Sequence, residues 1–163
     1  MPLTKDKKKE VVKRVQAVAD SSQSVVFVNF HGLSVIDANE LRSGLRQNDV
    51  GYFVAKKTLI KRALADKKIE GEQPSLDGEV ALAYADDLTA PAREVYNFQK
   101  THPDNVSIIG GVFDGRYMNK EEMEEVAAIP PYPVLVGKFV NIINSPIQRF
   151  VIALDKIAET KSA

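Results

Sequence analysis

The chain has 163 residues, 44% hydrophobic and 27% charged, which is enough to bury a core in one domain and leave some length for an appendage. It contains no cysteine, which excludes disulfides, thiolate metal ligands and thiol nucleophiles and is expected of a protein from a reducing compartment. The formal net charge of zero conceals a split: residues 1–68 hold 14 Lys and Arg against 7 Asp and Glu, a balance of +7, whereas residues 69–163 hold 8 against 15, a balance of −7.

An unequal division of this kind points to one surface that meets a polyanion. The N-terminus lacks an apolar stretch of signal-peptide length, and no run approaches the roughly 18 apolar residues of a membrane span. The sequence therefore reads as cytosolic and soluble, with no membrane partner.

Residues 4–20 place Val11, Val12, Val15, Val18 and Ala19 on one helical stripe, with Thr4 as the cap and Lys7, Lys8, Lys9, Lys13 and Arg14 around the rest. An amphipathic helix with a basic face is expected. SVVFVNF, 24–30, is β-branched and aromatic and stops at His31-Gly32, which predicts a buried strand and a turn. Ser34 and Asp37 resemble a capping box with Asp for Glu, opening a helix through Leu41 and Leu45 that projects Arg42 and Arg46 one turn apart. GYFVA, 51–55, predicts a second strand, and KTLIKRALA starts the next helix.

After a loop at 71–78, EVALAYA (79–85) predicts a third strand, and TAPAREVYNFQKT (89–101) a helix capped by Thr89 with Pro91 in its first turn. VSIIGGVFDG (106–115) predicts a fourth strand, and Asn119 with Glu122 opens a short helix through a capping box. Strands interleaved with helices give an α+β expectation: a compact four-stranded, ferredoxin-like sheet layered with helices, plus a C-terminal helical arm.

The prolines at 130, 131 and 133 make 129–133 an extended connector between a globular domain, 1–128, and an arm, 134–163. In the arm, VLVGKFVNII (134–143) and PIQRFVIALDKIA (146–158) predict two apolar helices parted at Asn144-Ser145-Pro146, where Ser145 can cap. Ile147, Phe150, Val151, Leu154 and Ile157 form a wide stripe that nothing later in the sequence covers. Such a stripe either folds back on its own core or is presented to a partner.

Catalytic patterns are missing. His31 and His102 are isolated, so no metal cluster is expected, and no nucleophile elbow, P-loop or dinucleotide fingerprint occurs. Neither a cofactor nor an active site is predicted. The run Glu121, Glu122, Glu124, Glu125 reads as a solvated helix face.

The strongest local signal is FVAKKTLIKRAL, 53–64. A helix N-terminus presents unpaired N–H groups and a positive dipole end, which cations repel by about 0.3–1 kcal/mol each when exposed. Lys56 and Lys57 at that point, with Lys61 and Arg62 a turn later, favour a phosphate as counterpart. Taken alone, the same charges also read as solubilising groups on exposed helix faces.

The ordered set HGLS (31–34), ELRSGLR (40–46), VAKKTLIKRAL (54–64), DGEVALAY (77–84), IIGGVFDG (108–115) and AAIP (127–130) resembles the bacterial ribosomal protein L10 family across essentially the whole chain. The resemblance implies a scaffold and not an enzyme. Its N-terminal domain would dock on large-subunit (23S) ribosomal RNA beside ribosomal protein L11, near where translational GTPases bind. Its C-terminal helix would carry dimers of the acidic stalk protein L7/L12, which recruit those GTPases.

On this chain the RNA-binding residues implied are Lys7, Lys8, Lys9, His31, Gly32, Arg42, Arg46, Lys56, Lys57, Thr58, Lys61 and Arg62. The partner-binding residues implied are Phe139, Ile143, Ile147, Phe150, Val151, Leu154 and Ile157. Three departures stand out. His31 takes the place of an arginine usual in the family, and Lys57 that of a capping asparagine, leaving Thr58 or nothing as the cap. The short tail after Pro146 favours two stalk dimers over three. An assembly factor of the same fold, binding the same RNA site, is the alternative; it would not need the terminal apolar stripe.

Overall fold

Alternation decides the sheet. In residues 24–30 Val26 and Val28 point one way and Val25 and Phe27 the other, and all four are buried, so this strand must be covered on both faces. The computed structural model, which describes residues 4–65, 67 and 69–162, supplies that cover with a three-layer arrangement. Its elements run α1 (Lys5–Ser21), β1 (Ser24–Phe30), α2 (Val35–Gln47), β2 (Gly51–Val54), α3 (Lys57–Ala65), β3 (Val80–Ala85), α4 (Ala90–Thr101), β4 (Val106–Phe113), β5 (Arg116–Met118), α5 (Lys120–Ala127) and α6 (Tyr132–Ser162).

The strands lie in the order β2-β3-β1-β4-β5, with every neighbouring pair antiparallel. The first four reproduce the expected ferredoxin-like order, in which α2 and α4 each cross over one intervening strand. Against the four strands expected, β5 is a fifth. It forms a hairpin with β4 through Asp114 (φ 48°) and Gly115 (φ 76°), the left-handed pair that a two-residue turn requires.

Each face of the sheet has its own core. Val15 of α1 and Ile60, Ala63 and Leu64 of α3 pack on Val25, Phe27, Val80 and Leu82. On the other face Leu41 and Leu45 of α2, Val95 of α4 and Met123 of α5 pack on Val26, Val28, Ala81, Ala83 and Ile108. Each large side chain buried this way contributes roughly 1.5–3 kcal/mol. The approach of α5 to β4 depends on Gly111, where a Cβ would stand 2.4 Å from Met123 Cε and 2.5 Å from the Val25 carbonyl oxygen.

Caps depart from expectation in several places. Thr4 stands at the N-cap of α1, but its side chain makes no capping hydrogen bond. Ser34 caps α2 by accepting from the Asp37 N–H at 3.2 Å, and Asn119 and Glu122 form the full reciprocal box. Thr89 does not cap α4. Asp87 does so instead, its Oδ1 accepting from the N–H groups of Thr89 (2.9 Å) and Ala90 (3.3 Å), which lowers the pKa of its carboxyl.

By contact the chain divides into two units, Met1–Ile129 and Pro130–Ala163. The second contains one helix of 31 residues where two were expected. Helix α6 begins at Tyr132, so Tyr132 and Pro133 are helical, and it passes through Ser145 and Pro146. A proline inside a helix removes one hydrogen bond at a cost of about 3 kcal/mol, but here the helix continues through it, and Asn144 does not take the left-handed conformation that ends many helices. No single described helix is long and apolar enough to cross a membrane.

Candidate functional site

Both β1 and β2 run antiparallel to β3, so they end at the same end of the sheet. The His31-Gly32 turn and the Lys56-Lys57 junction therefore emerge there together. Gly32 takes φ 61°, and the turn is anchored by Asn105, whose side-chain amide donates to the carbonyls of His31 (3.0 Å) and Gly32 (3.1 Å). The His31 N–H donates to the Asn105 carbonyl at 2.8 Å, leaving the imidazole exposed.

The Lys56 carbonyl accepts from the N–H groups of Leu59 (2.8 Å) and Ile60 (3.1 Å), which puts Lys56 at the N-cap of α3 and Lys57 and Thr58 in its first turn. Thr58 is thus not the cap. A lysine ammonium has donors only, so the cap position offers the first-turn N–H groups no side-chain acceptor. Lys56, Lys57, Thr58, Lys61 and Arg62 are all exposed.

Helix α1 packs beside α3, and the two enclose a groove of about 430 Å³ lined by Lys5, Lys8, Lys9, Lys13 and Arg62 over Val12 and Leu59. Lys7 is exposed on α1 outside that lining. Lys61 parts from its neighbour Arg62: it lines a separate hollow of about 620 Å³ with Glu72, Gln73, Tyr117 and Glu122. Burial raises the pKa of the Tyr117 phenol there.

Arg42 and Arg46 lie on α2, on the opposite sheet face from α1 and α3. The two basic faces meet at β2, the edge strand. Arg14 sits over the Phe53 ring at 4.7 Å on one side and Arg42 over the Tyr52 ring at 5.9 Å on the other. Burial pushes the Tyr52 phenol up in pKa, and the neighbouring Arg42 partly offsets this. Arg46 is exposed farther along α2.

The sequence analysis puts Lys13 and Arg14 on the basic face of α1 without counting them among the RNA-binding residues, and it does not single out Lys5. The signal was present in the four-residue spacing of Lys5, Lys9 and Lys13, which sets them on one ridge of α1. Among the described residues no group of His, Asp and Glu could hold a metal ion.

In the second unit, Phe139, Ile143, Ile147, Phe150, Val151, Leu154 and Ile157 are all exposed on α6. At 100° per residue they fall within one sector of the helix, joined by Tyr132, Val136 and Val140. The stripe is internally repetitive. Val136, Phe139, Val140 and Ile143 recur eleven residues later as Ile147, Phe150, Val151 and Leu154.

Residues 3–100 match the family model described as Ribosomal protein L10. Over 155 residues, 94% of this chain and 93% of the relative, the sequence is 34% identical to the large ribosomal subunit protein uL10 of Staphylococcus carnosus. The identity is 35% over 158 residues, 93% of this chain and 92% of the relative, to the protein so named from Lactobacillus acidophilus. With that of Oceanobacillus iheyensis it is 31% over 157 residues, 96% of this chain and 94% of the relative.

Proposed function

Because the chain belongs to the ribosomal protein L10 family, we propose that it forms the base of the large-subunit stalk, binding large-subunit ribosomal RNA through its first unit and dimers of the acidic stalk protein through α6. The chain is a structural ribosomal protein of the cytoplasm and not an enzyme. Both of its tasks are non-covalent. Ribosomal protein L11 is its neighbour on the RNA in this reading, and translational GTPases are reached indirectly, through the stalk.

The observation that carries the RNA half is the junction at Lys56-Lys57: an α-helix opening with cations and no acceptor at its cap, at one end of the sheet with His31-Gly32. Phosphate oxygens supply the missing acceptors and reverse the unfavourable charge–dipole contact. The groove of five cations between α1 and α3 extends the same surface. Contacts of this type position RNA by its backbone and shape. The stalk half is supported by the eleven-residue repetition on α6, which presents one apolar pattern twice and suits two copies of one partner.

The test is the affinity of a Lys57→Glu, Arg62→Glu double variant for the ribosomal RNA fragment, measured across a salt series. A loss of at least a hundredfold at low salt is expected, with the slope of log affinity against log salt reduced by about 1–2. Unchanged binding would remove these helices from the RNA site.

A further inference from the structure

A cavity of about 400 Å³ opens between α2 and the β2 edge, at the sheet end where His31-Gly32 and Lys56-Lys57 emerge. Phe30, Leu33 and Leu41 give it apolar walls, Tyr52 a ring, and Arg42 and Glu79 two opposite charges. Arg42 and Glu79 form no ion pair with each other or with any described residue. Arg42 lies over the Tyr52 ring, and Glu79, immediately before β3, is exposed beside a strongly basic surface without using it.

A site with a fork of donors, a carboxylate acceptor and an aromatic plane asks for a flat ligand with acceptors on one edge and donors on another. We infer that this cavity takes a single unstacked guanine of the bound RNA. Guanine presents O6 and N7 to an arginine fork, and N1–H with the 2-amino group to a carboxylate. Adenine and cytosine each set an unprotonated ring nitrogen beside their amino group, and uracil offers a single N3–H, so only guanine gives the carboxylate two adjacent donors while giving the arginine two adjacent acceptors. Bases splayed from loops and bulges are commonly held by stacking on aromatic or arginine planes together with hydrogen bonds to their edges. The inference rests on the RNA-binding reading above and adds base recognition to a surface otherwise suited to phosphates.

Glu79 makes the test a matter of sign. If Glu79 merely stands near RNA, Glu79→Gln removes a repulsive charge and tightens binding. If it accepts from guanine, the same change weakens binding roughly tenfold, the loss of a charge-assisted hydrogen bond, with the salt slope unaltered. Full-length wild-type chain bound to the ribosomal RNA fragment is probed with kethoxal, which reacts at N1 and the 2-amino group of unpaired guanines. One guanine protected by wild type and exposed again with Glu79→Gln is the expected result. Arg42→Lys, which keeps the charge but not the fork, should expose the same guanine. Inosine at that position should weaken wild type but not Glu79→Gln. Equal or tighter binding by Glu79→Gln, or no guanine whose protection depends on Glu79, overturns the inference and leaves the cavity to a protein side chain or to none. Failure of the wild-type chain to bind the fragment overturns the RNA reading itself.

Discussion

Phenylalanine occupies opposite surroundings in the two units. Phe27 is fully buried between the sheet and the α1/α3 layer, whereas Phe139 and Phe150 of α6 are 64% and 65% exposed. The first unit closes two cores on itself and exposes its cations. The second is one long helix that exposes the Phe139–Ile157 stripe, with Val134, Leu135, Ile142 and Ile152 exposed among the polar residues elsewhere around it. The lesson is that similar hydrophobic content serves stability when several elements converge on it and recognition when one element carries it alone.

The sharpest way to break this comparison is to separate the units. Removing residues 134–163 should abolish co-purification of the acidic stalk protein while the affinity for the RNA fragment stays within twofold; retention of the stalk protein by the truncated chain would place its site in the first unit. A paired truncation is the next largest effect. Phe27→Ala should lower unfolding stability by about 3–5 kcal/mol in a denaturant titration. Phe150→Ala should leave that titration unmoved and weaken only the stalk partner. An equal loss of stability from the two would mean that α6 shares the core of the first unit.

The smallest effect isolates a cap within the first unit. Asp87→Ala should cost about 0.5–2 kcal/mol near neutral pH, because the Thr89 and Ala90 N–H groups lose their acceptor. The folded-state pKa of Asp87 is lowered, so its contribution is fully present above the ordinary carboxylate range and is lost as pH falls below that range through the lowered pKa of the folded state. The stability gap between wild type and variant should therefore narrow in acid; a gap that widens on acidification would contradict the cap.

Element identity was legible wherever period and chemistry agreed, as in the buried alternation of 24–30 and the stripe of Val15 and Val18. Besides the caps expected at Thr4, Thr58 and Thr89, which the structure does not form, two expectations about element boundaries fail for identifiable reasons. Asp114-Gly115 was read as the end of a strand, although Asp-Gly followed by Arg116-Tyr117-Met118 carries the chemistry of a hairpin turn. Pro146 was read as a break, but local proline chemistry did not override an apolar stripe that stays in phase on both sides of it. The cations of the candidate site were visible one by one. Their division between two sheet faces, and the bracketing of β2 by Arg14 and Arg42, follow from strand order, which no local pattern encodes. Glu79 joins Arg42 for the same reason: the residues are 37 positions apart and meet only because β3 lies beside β2.

The repeated motif on α6 also limits the girth of whatever docks there. Eleven residues advance a helix by about 16 Å and turn it through about 20° beyond three full turns. Two visitors seated on successive motifs thus stand almost shoulder to shoulder and face nearly the same way. A folded domain of 100 residues, about 13 Å in radius of gyration, would collide with its twin at that spacing. Slender helical segments, about 10–12 Å across, would not. On the stalk-base reading, two partners seated on successive motifs would have to dock through narrow segments side by side, with any bulky domains held beyond them on linkers.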